Sequence, residues 1–183
     1  MINYISFEGI DGAGKTTQTE IQSIRLRKRG ISVGIYRYSD KNNFWGGLIR
    51  KIYSLNQQNK LQFPFRPRRI QETLYALSAR SNLRKCDLTN KQVILSDRSI
   101  VTAYASHVHK ISERFISLVE PSFVPNLVVY LDIPPEVGLE RIDWRYEKFR
   151  DEDLESLIEF RDLYMRVIFD KRPKILKSTE FII

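Results

Sequence analysis

Residues Gly9-Ile10-Asp11-Gly12-Ala13-Gly14-Lys15-Thr16 carry the Gly-x-x-x-x-Gly-Lys-Thr spacing of a phosphate-binding loop. Glycines at that spacing let the backbone curl until successive N–H groups converge on an anion, with a helix N-terminus behind them. In such a loop Lys15 reaches the β- and γ-phosphates of a nucleotide and the Thr16 hydroxyl binds Mg²⁺, so the expected cradle runs from Gly9 through Thr16 to Thr17. A second constellation follows an apolar run, Val93-Ile94-Leu95-Ser96-Asp97-Arg98. An acid at the end of a buried strand is what such a cradle uses to hold its metal, directly or through water, which gives Asp97 that role beside Thr16. Arg98 then holds either a phosphate already on a substrate or part of a group about to receive one.

These residues need a sheet to hold them. Ile2 to Glu8 alternates apolar and polar residues before the glycine-rich turn and reads as a strand. Lys15 to Arg29 reads as a helix with a basic last turn and Gly30 just beyond. Ile31 to Tyr36, Gln92 to Ser96 and Leu127 to Asp132 read as three more strands. A short fifth is expected around Lys174 to Leu176. Helices are expected over Phe44 to Leu55, Arg68 to Lys85, Pro135 to about Arg145, and Asp153 to Phe169. On the last of these, Leu154, Leu157, Ile158, Tyr164, Met165 and Ile168 form an apolar stripe. Strands alternating with helices predict a three-layer α/β fold, a five-stranded parallel sheet flanked by helices, in one domain spanning 1–183.

A chain of 183 residues with 42% hydrophobic and 28% charged residues has the composition of a soluble globular protein. One cysteine, Cys86, cannot form an internal disulfide, and no apolar run approaches the length of a membrane helix. No charged-then-apolar leader precedes the first strand, so a cytoplasmic protein is expected. The net charge of +8 favours anionic partners. RNP aromatics, zinc-finger spacings and a lysine tail are all missing from the sequence. Phosphorylated small molecules are therefore the expected partners, with neither nucleic acid nor membrane. Cys86, His107 and His109 have no partners at a ligand or nucleophile spacing and take structural roles.

FEGIDGAGKTTQ resembles the phosphate loop of the thymidylate kinase family of nucleoside monophosphate kinases almost letter for letter. DRSIVTAYA is similar to that family's Asp-Arg-Tyr…Ser…Ala-Tyr-Gln signature. VVYLDIPPEVGLERI resembles its fourth strand and following helix, and SLIEFRDLYMRV its penultimate helix. The likeness covers most of the chain, in order. It implies a P-loop NTPase fold with a short lid, about 144–150. The implied reaction is ATP-dependent, Mg²⁺-assisted transfer of a phosphoryl group to a nucleoside monophosphate, thymidine monophosphate above others, in a homodimer.

In that family Arg98 would grip the acceptor phosphate, helped by Arg37, while Asp11 would face the acceptor sugar and the metal. Arg141 would serve the nucleotide. Gly12 and Ala13 bring no cation to the loop, so the lid must supply one from Arg145, Lys148 or Arg150, with Arg145 the leading candidate. Arg80 is the expected base-reading arginine, with Tyr75 or Tyr104 as the stacking face. Ser99, Ala76 and Ala105 stand where the family usually has tyrosine, an aromatic and glutamine. Arg161, on the apolar stripe, is expected in a structural ion pair.

Two other readings compete. A deoxynucleoside kinase carries a similar Glu-Arg-Ser signature but needs a carboxylate after the second strand as general base. Here Arg37-Tyr38-Ser39 stands there, and the first acid, Asp40, follows only afterwards. A nucleotide-binding regulator could keep the cradle and lose transfer, yet would not need the lid cations.

Overall fold

The computed structural model describes residues 3–38, 44–57, 67–86, 88, 90–107, 113–119, 123–144, 153–170 and 172–183. Five strands form one parallel sheet: β1 (Asn3–Glu8), β2 (Val33–Arg37), β3 (Val93–Asp97), β4 (Leu127–Tyr130) and β5 (Glu180–Ile182), in the order β2-β3-β1-β4-β5. The helices are α1 (Lys15–Lys28), α2 (Phe44–Gln57), α3 (Pro67–Lys85), α4 (Ile100–His107), α5 (Glu113–Val119), α6 (Pro135–Asp143) and α7 (Leu154–Met165). Both faces of the sheet are covered, as parallel strands require. The expected three-layer α/β fold is therefore the observed one.

Side chains alternate across the sheet and divide it into two cores. Tyr4, Tyr36, Ile94, Val128 and Tyr130 lie on the face that packs against Ala79 of α3, Ile100 and Tyr104 of α4, Ile116 of α5 and Tyr164 of α7. Phe7, Val33, Val93 and Leu95 lie on the other face, with Leu26 of α1. This period of two sends neighbouring residues of β1 in opposite directions. Glu8 therefore enters the face of α4 and α7, while Phe7 enters the face of α1.

The register gathers the chemistry at one edge. Asp97 is paired in register with both Phe7 and Arg37, and Glu8 with Tyr130. The phosphate loop leaves the carboxyl end of β1, the centre of the sheet, with β3 and β4 on either side. This is where open α/β sheets bind ligands.

Two expectations need correction. The fifth strand does not lie at Lys174–Leu176, which forms a 3₁₀ turn capped by Pro173 at φ −56°. Leu176 is fully buried there, and β5 follows at Glu180–Ile182, paired with β4. A proline lacks the N–H that a ladder would use, and a short apolar run serves a buried turn as readily as a strand.

The stripe on α7 is also rotated from its expected position. Leu154 and Ile158 are exposed, while Leu157, Leu163 and Tyr164 are buried. The helix starts at Asp153, whose side chain accepts from Ser156 N–H at 2.7 Å, a regular N-cap. Past Met165 it widens into a π turn, Arg166–Asp170, whose Val167 and Ile168 rejoin the core.

Candidate functional site

The loop between β1 and α1 is shaped by contacts that exclude side chains. Gly12 has φ +82°, and a Cβ there would meet Gly138 O at 2.3 Å. A Cβ on Gly138 would in turn meet Asp11 O at 2.8 Å. Helix α6 thus packs backbone against backbone on the phosphate loop, which only two glycines allow. Arg141, one turn further along α6, donates to Gly12 O at 3.1 Å and holds the loop from the same side. The resemblance gave Arg141 to the nucleotide; its guanidinium lies on the loop carbonyl.

Lys15 starts α1 and is almost fully buried. Its ammonium donates to Ile10 O at 2.7 Å and lies 3.5 Å from Asp11 Oδ1, inside the curl where phosphate oxygens would sit. Burial and the neighbouring Arg98 lower its pKa to about 8, against the pull of Asp11, Asp97 and Glu8. Beside it the Thr16 hydroxyl donates to Asp97 Oδ2, so the two expected metal residues, one at the start of α1 and one at the end of β3, meet. A hydroxyl and a carboxylate are the hard oxygen donors Mg²⁺ prefers, and the remaining positions suit phosphate and water. Among the described residues no group of three or more His, Cys, Asp or Glu could hold a metal unaided.

Arg98 follows β3 in the left-handed conformation, φ +68°. For a residue with a side chain this costs about 1–3 kcal/mol and persists only where the surroundings enforce it. They do: its N–H donates to Phe7 O at 3.0 Å, Nη2 pairs with Asp11, and Nη1 donates to Tyr164 Oη at 3.2 Å. Phe160 lies under the guanidinium at 5.6 Å. Burial opposes the charge, but Asp11, Tyr164, Asp97 and Glu8 more than offset it and raise the pKa. The guanidinium stays charged at every working pH, which an anion-gripping group requires.

Beneath Arg98 lies a feature the sequence did not advertise. Glu8 is fully buried. Its Oε1 accepts from Ser6 at 2.8 Å and Ser99 at 2.6 Å, and its Oε2 from Thr102 at 2.7 Å and Tyr164 at 2.9 Å. Burial raises its pKa, while Ser99, Thr102, Ser6 and Arg98 act in the opposite sense. The four donors come from four places, Ser6 on β1, Ser99 in the β3–α4 turn, Thr102 on α4 and Tyr164 on α7, so no local motif marks the cluster. The only sequence signal was an acid closing an apolar strand.

The remaining expected residues divide. Arg37 closes β2 beside Asp97, with its guanidinium 3.4 Å from Glu20 of α1. Arg161 forms the structural pair expected of it, with Nε and Nη2 both 2.6 Å from the Asp132 carboxylate. Arg80 donates to Leu118 O of α5 at 3.3 Å, and Tyr75 is half-buried on α3. Tyr104 is corrected: it is fully buried in the core between α4 and the sheet and has no open face to stack on a base. The signature in which it lies forms a helix, and helical spacing turns that position inward. Arg145, Lys148 and Arg150, with Asp40, lie outside the described residues, whereas Trp144, where α6 ends, is 85% exposed.

The family model for thymidylate kinase matches residues 7–182, nearly the whole chain. The chain belongs to the thymidylate kinase family. Among curated members, a thymidylate kinase of Caldanaerobacter subterraneus subsp. tengcongensis is 30% identical over 181 residues, covering 91% of this chain and 82% of that one. A probable thymidylate kinase of Methanobrevibacter smithii is 33% identical over 179 residues, covering 96% and 86%. One from Sulfurihydrogenibium is 28% identical over 183 residues, covering 94% and 86%. Each of the three alignments spans most of both chains. In this member of the family the phosphate loop, Arg98 and Asp97 share one sheet edge. Among the described residues, no helix is long and apolar enough to cross a membrane.

Proposed function

We propose that the chain transfers the γ-phosphoryl group of ATP to thymidine monophosphate, giving ADP and thymidine diphosphate. An oxygen of the acceptor phosphate attacks the γ-phosphorus while the bond to the β–γ bridging oxygen breaks. That reaction asks for alignment and charge neutralisation more than for acid–base chemistry. The observation that carries the reading is Arg98, charged, largely buried and fixed beside Asp11 at the mouth of the phosphate loop. On the donor side Lys15 and the loop N–H groups take the β- and γ-phosphates. Thr16 and Asp97 would hold Mg²⁺, whose charge offsets that building up on the phosphates.

On the acceptor side the planar fork of Arg98 takes two phosphate oxygens, with Arg37 at the same edge. Asp11, now paired with Arg98, is placed to pass to the acceptor sugar or the metal once a phosphate takes over that arginine. A cation from 145–150 completes the charge balance, and Arg80 reads the base edge. Hydroxyl phosphorylation of a bare nucleoside is the weaker reading, because the residue closing β2 is an arginine rather than a carboxylate general base.

The test is a coupled ADP-release assay against a panel of nucleosides and nucleoside monophosphates. Thymidine monophosphate is expected as the best acceptor, with weaker discrimination among monophosphates than is usual, since Ala76 and Ala105 are small and buried. A preference for thymidine would move the protein to the nucleoside kinases. ATP binding without turnover of any acceptor would make it a regulator.

A further inference from the structure

We propose that Tyr164 and Glu8 are positioning residues for acceptor binding, setting the angle of the Arg98 fork through a one-way hydrogen-bond chain that ends on a buried anion. The inference rests on Arg98 being the acceptor-phosphate residue.

With Glu8 as a carboxylate, the form that the charge of Arg98 favours, the chain has one direction. A guanidinium can only donate and an ionised carboxylate can only accept. The Tyr164 hydroxyl, 3.2 Å from Arg98 Nη1 and 2.9 Å from Glu8 Oε2, therefore accepts from the first and turns its proton toward the second. Thr102 Oγ1, 2.8 Å from the same hydroxyl and 2.7 Å from the same Oε2, braces the junction. Four neutral donors occupy the carboxylate, two on each oxygen, which matches its capacity. They satisfy the hydrogen bonds of the carboxylate form, and a cation is still needed to offset its charge. Arg98 is the cation that Glu8 feels, and Glu8 is among the anions that raise Arg98.

The contrast with Arg161 shows what the arrangement achieves. Arg161 is held directly by Asp132, which takes both N–H groups of its side-on fork, Nε and Nη2. An arginine held that way has its side-on fork occupied and keeps only the outer Nη1 and Nη2 N–H pair for another anion. Placing a phenol between Arg98 and its buried anion leaves the anion's field acting while only one N–H is spent on Tyr164. The tie to Asp11, whose side chain is 38% exposed, is the one an incoming phosphate can replace. The tie to Tyr164, fully buried, stays. Ser99 belongs to the same device, because its fully buried hydroxyl donates to Glu8 Oε1 at 2.6 Å.

The experiment uses Tyr164→Phe, which keeps the ring and removes the hydroxyl, with Glu8→Gln and the pair Thr102→Val and Thr102→Ser. Steady-state kinetics are measured with thymidine monophosphate and ATP varied separately, alongside Tm and calorimetric binding of thymidine monophosphate alone. For Tyr164→Phe the KM and Kd for the monophosphate are expected to rise about tenfold or more, the scale of losing a hydrogen bond to a charged group. The KM for ATP is expected to stay within about twofold and Tm to move little. Thr102→Ser is expected to keep wild-type acceptor affinity and Thr102→Val to lose part of it. Glu8→Gln turns a donor toward hydroxyls that also donate, and is expected to show the same acceptor-selective loss. If Glu8→Gln does not fold, Tyr164→Phe carries the test alone. An unchanged monophosphate KM in folded Tyr164→Phe overturns the proposal, as does a parallel rise in both KM values with a fall in Tm, which marks a merely structural network. Wild-type protein that neither binds nor phosphorylates any monophosphate overturns the functional reading itself, a result visible before any variant is made.

Discussion

The two halves of the site are built from different materials. The proposed donor half is a loop of eight consecutive residues, Gly9 to Thr16, which would bind through backbone N–H groups, one lysine and one hydroxyl. The proposed acceptor half is a set of side chains from β1, the phosphate loop, the turn after β3, α4 and α7, converging on Arg98. A backbone cradle depends on local conformation, so glycines at fixed spacing nearly suffice to specify it. A side-chain cluster depends on the register of the sheet and the rotation of each helix, which no short motif encodes. The first kind of half tolerates little change in its glycines, whereas the second can be retuned by distant substitutions. Ser99, whose hydroxyl donates to Glu8, is one position at which such retuning would act.

The sharpest way to separate the halves is to remove the central side chain of each. Arg98→Ala is expected to lower kcat/KM for the monophosphate by about 2–5 kcal/mol while leaving ATP affinity nearly unchanged, the scale seen when one member of a desolvated charge pair is lost. Equal losses for both substrates would merge the two halves into one. Lys15→Met is expected to lower kcat about 10²–10³-fold with the fold intact, as when one fixed donor to a developing charge is deleted. Folded mutant protein with near-normal turnover would break the donor assignment.

Backbone substitutions probe the donor half alone. Gly12→Ala would drive a Cβ to 2.3 Å from Gly138 O and strain φ, whereas Gly14→Ala, at φ +87°, meets nothing within 4 Å. Gly12→Ala should therefore cost stability and ATP affinity together, about 1–3 kcal/mol, and Gly14→Ala only the conformational part, about 1–2 kcal/mol. Thermal melts with and without ATP compare them, and equal costs would remove the contact with α6 from the account.

A pH series reads the same half without mutation. Lys15 titrates at about 8 in the free protein, and phosphates bind its protonated form. ATP affinity should be flat below that pH and fall above it, approaching about tenfold per unit, because the proton must then be taken up on binding. Monophosphate affinity, resting on arginine, should not share that fall. The smallest effect is expected at Arg161→Ala. Its bidentate pair is solvent-accessible, so about 1 kcal/mol or less of stability should be lost, with no change in either KM.

The sequence alone determined the cradle, the strand alternation and the α/β class. Each rests on spacing within a few residues, and the structure reproduces β1 to β4 within a residue or two of their expected positions. It also determined the pairing of Thr16 with Asp97, since a phosphate loop and an acid-terminated strand have few ways to meet in a parallel sheet. The tertiary structure alone decided the rest. Tyr104 and Tyr164 look alike in sequence, both aromatic residues on helices. Packing sealed Tyr104 into the core and set the hydroxyl of Tyr164 between a guanidinium and a carboxylate. Glu8 looked like the polar member of an alternating strand, but that side of β1 faces α4 and α7 rather than water. Local propensity fixes which way a side chain leaves its strand or helix, and only the packed layers decide whether solvent, a core or a charge is waiting there.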